Sequence, residues 1–160
     1  MYRKQKQMNF ECFTAREVAE VINELGFKAK IITEDGVTKI ESASSGTTWS
    51  IWLGHGEPFF DLIQLCATVW ASEDPYQWAS RWNRSHCWSM AHVYVPDEDT
   101  PLEPDEDGEF AIYVGFAYDF SSGVNKKYLE TGISRWLETI EELVQSDEVR
   151  MMPAQNIHSN

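Results

Sequence analysis

The sequence predicts an α+β fold in which an antiparallel sheet carries its helices mainly on one face. Three observations lead there. Extended runs follow one another through short turns instead of alternating one for one with helices. The turns carry the residues that tight hairpins require, and amphipathic stretches bracket the strands at both ends. The expected order is α-β-β-β-β-α-β-β-α.

The first helix is signalled by Thr14 and Glu17, a capping-box pair, and by Gly26 where a left-handed residue ends a helix. Val18, Ala19, Ile22 and Leu25 recur between them at helical spacing. FKAKIIT and VTKIES then read as strands joined by Glu34-Asp35-Gly36, whose Asp-Gly pair suits a two-residue hairpin. Ser44-Ser45-Gly46 turns the chain into TTWSIWL, and Gly54-His55-Gly56 ends that strand. The run PFFDLIQLCATVWA fits both helical and alternating periods, and its aromatic and β-branched content favours a strand.

Asp74 as N-cap and Pro75 at the first helical position open a short helix with Tyr76, Trp78, Ala79 and Trp82 on it. WSMAHVYV and FAIYVGFAYDF form a strand pair around the loop PDEDTPLEPDEDGE. In the longer strand Phe110, Ile112, Val114, Phe116, Tyr118 and Phe120 alternate onto one face. A final helix from about Asn125 to Ser146 sets Leu129, Ile133, Trp136, Leu137, Ile140 and Val144 in register. One domain is expected over residues 10–147, with flexible tails at 1–9 and 148–160.

The bulk numbers narrow the partners. The chain has 160 residues, is 42% hydrophobic, and includes seven Trp, eight Phe and six Tyr, a composition that supports a packed core. Its 26 acidic and 13 basic side chains give a formal charge of −13, which repels phosphate backbones and anionic lipid. Nucleic acid and membranes are therefore not expected partners. No apolar run reaches the ~18 residues of a spanning helix, and MYRKQKQMNFECF lacks the apolar core of a secretory signal. Cys12, Cys66 and Cys87 are odd in number and widely spaced, as reduced thiols of a cytoplasmic protein would be.

Each candidate site has a plain structural reading beside the chemical one. The loop at 97–109 gathers Asp97, Glu98, Asp99, Glu103, Asp105, Glu106, Asp107 and Glu109. Asp105-x-Asp107-Gly108 echoes a calcium loop, but its twelfth position would be Val114 inside a strand. A solvated hairpin loop accounts for it better. His86, Cys87 and His92, with Cys66 or His55 as a fourth ligand, lack the spacing of a zinc site. No GxSxG elbow or phosphate-binding glycine loop is present, so no catalytic, cofactor or metal residue is assigned and no enzyme activity is expected. Trp49, Trp82, Trp88 and Trp136 fall on core faces. Trp52, Trp70 and Tyr113 fall on the opposite strand faces, and if those strands are neighbours they make an aromatic patch of the kind that marks a protein contact.

Trp82-Asn83 in a short helix, a strand pair with an Asp-Gly loop, and Asp119-Phe120-Ser121-Ser122-Gly123-Val124 before a helix with Trp136 resemble the YbjN family, bacterial proteins described as sensory transduction regulators. The likeness extends over about residues 12–146, with a longer and more acidic 96–109 loop. It implies a fold like that of type III secretion chaperones, commonly a homodimer, with no enzyme activity and no cofactor. The expected function is a non-enzymatic, cytoplasmic regulatory or chaperone-like protein acting through protein contacts. The alternative is a ligand- or metal-responsive sensor using the 97–109 loop or the His86/Cys87/His92 group. A nucleic-acid regulator is the weakest reading, given the charge.

Overall fold

The computed structural model describes residues 13–54, 60–97, 99–120 and 125–154. The expected tail at 1–9, Cys12, His55-Gly56, Phe59, Glu98, Ser121 to Val124 and residues 155–160 lie outside the described residues. The described chain is α+β: three helices and one open antiparallel sheet of seven strands. In order they are α1 (Ala15–Glu24), β1 (Ala29–Glu34), β2 (Val37–Ser44), β3 (Thr47–Gly54), β4 (Leu62–Ala71), α2 (Pro75–Ser85), β5 (Met90–Val93), β6 (Phe110–Asp119), α3 (Lys126–Gln145) and β7 (Val149–Met151). The sheet runs β1-β2-β3-β4-β6-β5, with β7 also on β4.

Local chemistry places most of these elements. The Thr14 hydroxyl accepts from the Glu17 N–H at 3.2 Å and the Glu17 carboxylate accepts from the Thr14 N–H at 2.8 Å, closing the capping box of α1. Asp35 and Gly36 have φ of 51° and 77°, and Ser45 and Gly46 repeat those values. Two consecutive positive φ angles match the right-handed twist of the flanking strands, which holds β1–β2 and β2–β3 as tight hairpins. The ambiguous run resolves as β4, a strand paired on both sides. Its alternate residues Ile63, Leu65, Ala67, Val69 and Ala71 are all buried.

Those residues, with Ile40, Ile51, Ile112 and Val114, define the core face of the sheet. They share one hydrophobic cluster with Val18 and Ile22 of α1, Trp78 and Trp82 of α2, and Leu129, Ile133, Trp136 and Ile140 of α3. Three buried polar groups beside it have partners: Trp49 Nε1 donates to Ser44 Oγ at 3.0 Å, Trp82 Nε1 to Ser89 Oγ at 3.2 Å, and Ser42 Oγ to the Lys28 carbonyl at 2.7 Å.

Two expectations need correction. The segment after residue 147 is not wholly a loose tail. Val149–Met151 pairs with Val69–Ala71, the part of β4 that β3 does not reach. Beyond it, the Thr48 N–H and Thr47 hydroxyl both donate to the Met152 carbonyl, and the Ala154 N–H donates to the Gly46 carbonyl. Residues 149–154 thus fill the gap where β3 and β4 diverge, which satisfies strand amides that would otherwise be bare. The second correction concerns the start of the strand expected over WSMAHVYV, which had included Trp88. The strand starts only at Met90, and Trp88 packs edge-on against Phe116 with ring centres 5.2 Å apart, on the core side.

Asn83 explains its own place in the sequence. Its carboxamide accepts from the Ala91 N–H at 2.7 Å and donates to the Ala91 carbonyl at 2.9 Å. Strand β5 forms one border of the sheet, so a side chain from α2 satisfies the peptide groups that a further strand would otherwise take.

Candidate functional site

The register assembles the face opposite the core row by row. Lys39, Trp52, Gln64 and Ala117 stand side by side across β2, β3, β4 and β6. Glu41, Ser50, Cys66, Gly115 and Met90 make the next row, then Thr68, Tyr113 and His92, then Arg150, Trp70 and Ala111. Between the aromatic rows, the second row is small at its centre: Ser50, Cys66 and Gly115. Small side chains flanked by large ones produce a trough that runs across the strands. From β2 to β5 the row takes four inter-strand steps, about 19 Å at ~4.8 Å each.

The resulting groove has a volume of ≈ 470 Å³ and is lined by Trp52, Trp70, Tyr113, Cys66, Gln64 and His92 among others. The three aromatic residues predicted to face away from the core therefore line one groove. Trp52 is 41% exposed, whereas Trp70 and Tyr113 are half-buried. His92 and Tyr94 meet the Tyr113 ring edge-on, with centres 5.7 and 5.3 Å away. Lys39 sits 5.5 Å above the Trp52 ring and Arg150 sits 4.8 Å from the Trp70 ring.

The rim charges are matched locally. Lys39 pairs with Glu41 at 2.9 Å, and Arg150 donates to the Glu109 carboxylate at 3.0 Å, which ties the acidic loop to the Trp70 end of the groove. Burial pushes the Cys66 thiol up to about 11, so at neutral pH it is a protonated, weakly reactive wall of the groove. Burial, then the neighbouring Tyr94 and Cys66, also raise Tyr113 above the ordinary phenol range.

The other candidates separate. His86 stacks on Trp82 with ring centres 3.6 Å apart, and its Nε2 lies 2.9 Å from Glu142 of α3. His92 belongs to the groove on the opposite face, and Cys87 is exposed between them. The His86/Cys87/His92 group does not converge. In the acidic loop, ligand atoms of Asp105, Asp107 and Glu109 lie within 4.8 Å of one another. Asp105 accepts from the Asp107 and Glu109 N–H groups at 3.0 and 2.8 Å, and Glu109 is held by Arg150, so two of the three already serve the loop. At the start of the loop the Thr100 hydroxyl beside Asp97 holds that carboxyl below its usual range.

Several groove residues carried a signal that reading for aromatics passed over. Gln64, Cys66 and Thr68 share the strand phase of Trp70, and Glu41 and Ser50 share a register row with Cys66. Arg150 and Met152 had none, because they fall in the segment expected to be a tail. No helix among the described residues is long and apolar enough to cross a membrane. No protein-family model matches the chain, and neither does any curated protein or solved structure.

Proposed function

We propose that this protein is a non-enzymatic, cytoplasmic regulatory or chaperone-like protein of the YbjN type, with a fold like that of type III secretion chaperones, helices mainly on one face, and a homodimeric state. It acts by holding a segment of another protein across the open sheet face. One observation carries this reading: a groove of ≈ 470 Å³ on the open sheet face, with Trp52, Trp70 and Tyr113 in its lining, that reaches from Glu41 on β2 to His92 on β5, a span of about 19 Å at ~4.8 Å per strand. That length accommodates an extended segment of about six residues at ~3.3 Å each, and the aromatic lining supplies the anchors that dominate such contacts. The segment is apolar and net basic. The acidic loop borders the groove through the Arg150–Glu109 pair, and a chain of charge −13 attracts cationic segments.

The test is affinity capture from the native cell with the wild type and with W52A/W70A/Y113A, whose fold is verified by circular dichroism. A protein held by the wild type through a basic, apolar segment and lost by the variant supports the proposal. An identical captured set with both baits overturns it. So does a large rise in melting temperature with calcium or zinc alone, because only a specific ligand of the folded state produces that rise and it would favour the sensor reading.

A further inference from the structure

The two borders of the sheet differ in a way that points to a second copy of this chain. At β5 the outward peptide groups of Ala91 are taken by Asn83. At β1 no described residue pairs with the outer edge, and Ile31 is 43% exposed there. The hairpin fixes which β1 groups face outward. Glu34 and Val37 flank the two-residue turn, so they form a hydrogen-bonded pair, and the pattern alternates from them. Lys30, Ile32 and Glu34 therefore aim their peptide groups at β2, and Ala29, Ile31 and Thr33 aim theirs outward.

We propose that two copies join edge to edge through antiparallel pairing of β1 with β1, centred on Ile32, giving one continuous sheet. The available peptide groups restrict the register. With Ile32 opposite Ile32 on the dyad, Ile31 and Thr33 exchange hydrogen bonds with Thr33 and Ile31 of the second copy. Lys30 then faces Glu34 of the other chain, twice by symmetry, in the closer non-hydrogen-bonded pairing. Lys30 and Glu34 are both exposed, free of any strand on that side. Shifting by one step, so that Ile31 lies on the dyad, sets Lys30 against Ile32 and loses this match.

Charged side chains on an edge also serve to repel strands. The two roles diverge under charge reversal. A guard against pairing is indifferent to which sign sits where, whereas a registered dimer requires opposite signs at 30 and 34. The dyad is perpendicular to the sheet, so the open faces of both copies lie on the same side.

This inference rests on the dimeric part of the reading above and is tested by sedimentation equilibrium and cross-linking. The wild type is expected to dimerise reversibly. K30E and E34K are each expected to raise the dimer Kd about tenfold, and K30E/E34K to return it to within about threefold of wild type. After mild oxidation, Ile32→Cys is expected to give a peptide disulfide-linked to its own second copy through position 32, identified by mass spectrometry. A dimer unaffected by K30E and without that peptide overturns the edge but not the dimer. A wild type that stays monomeric overturns both, while the capture experiment on the groove is read independently.

Discussion

Replacing Asn83 with Ala removes the clamp that closes one border of the sheet. The Asn83 carboxamide makes two hydrogen bonds to Ala91, at 2.7 and 2.9 Å, and Ala91 is only 4% exposed. Each bond contributes about 1 kcal/mol net, and stranding poorly hydrated peptide groups adds to the loss, giving about 2–3 kcal/mol for the pair. A chain of 160 residues has an unfolding entropy of about 0.34 kcal/mol/K near its midpoint, so Tm should fall by about 6–9 °C. Urea denaturation gives the free energy, and an unchanged m-value confirms that the unfolded state is the same. Hydrogen exchange locates the effect: the Ala91 amide should exchange faster. Asn83→Asp is the discriminating control. Its carboxylate still accepts from the Ala91 N–H but opposes the Ala91 carbonyl, so it should recover no more than half of the loss. A Tm drop below about 2 °C, or an Ala91 amide protected as in the wild type, would refute the clamp.

Gly115→Ala should lower stability by about 1–3 kcal/mol in the same assay, because its Cβ would lie 2.8 Å from the Leu65 carbonyl oxygen, a backbone atom that cannot turn away. Trp49→Phe should cost about 1 kcal/mol more than Trp136→Phe: both indoles are fully buried, but Trp49 Nε1 donates to Ser44, whereas Trp136 Nε1 has no partner among the described residues. Truncation after Glu148 should destabilise the protein by several kcal/mol, measured by thermal melting, since it bares the Val69–Ala71 amides and the Thr47–Thr48 anchors. Stability should also fall as pH rises from 9.0 towards about 11. The unfolded Cys66 thiol ionises near 9.0 while burial holds the folded one up to about 11, so alkali favours the unfolded chain; Cys66→Ala should flatten that part of the urea-derived stability profile, and an unchanged slope would count against it. Below pH 9.0 the same thiol should alkylate far more slowly than exposed Cys87, read by peptide mapping.

What the sequence determined by itself was local and periodic. Positive-φ turns at Asp35-Gly36 and Ser45-Gly46 need nothing beyond their own residues, and neither do the caps at Thr14 and Asp74. Period-two alternation likewise put Trp52, Trp70 and Tyr113 off the core face before their strands were known to share a sheet. What only the tertiary structure decided was which strand edges remain available. Val149–Met151 is too short to show periodicity and becomes a strand because β4 extends past β3. Asn83 reads as an ordinary helix residue until the border of β5 lies beside it. Trp88 reaches its core side from outside the expected strand, because pairing with β6 begins only at Met90. The groove has the same origin: its small central row joins Ser50 and Cys66 of consecutive strands to Gly115 of a strand far along the chain, and register alone brings them side by side.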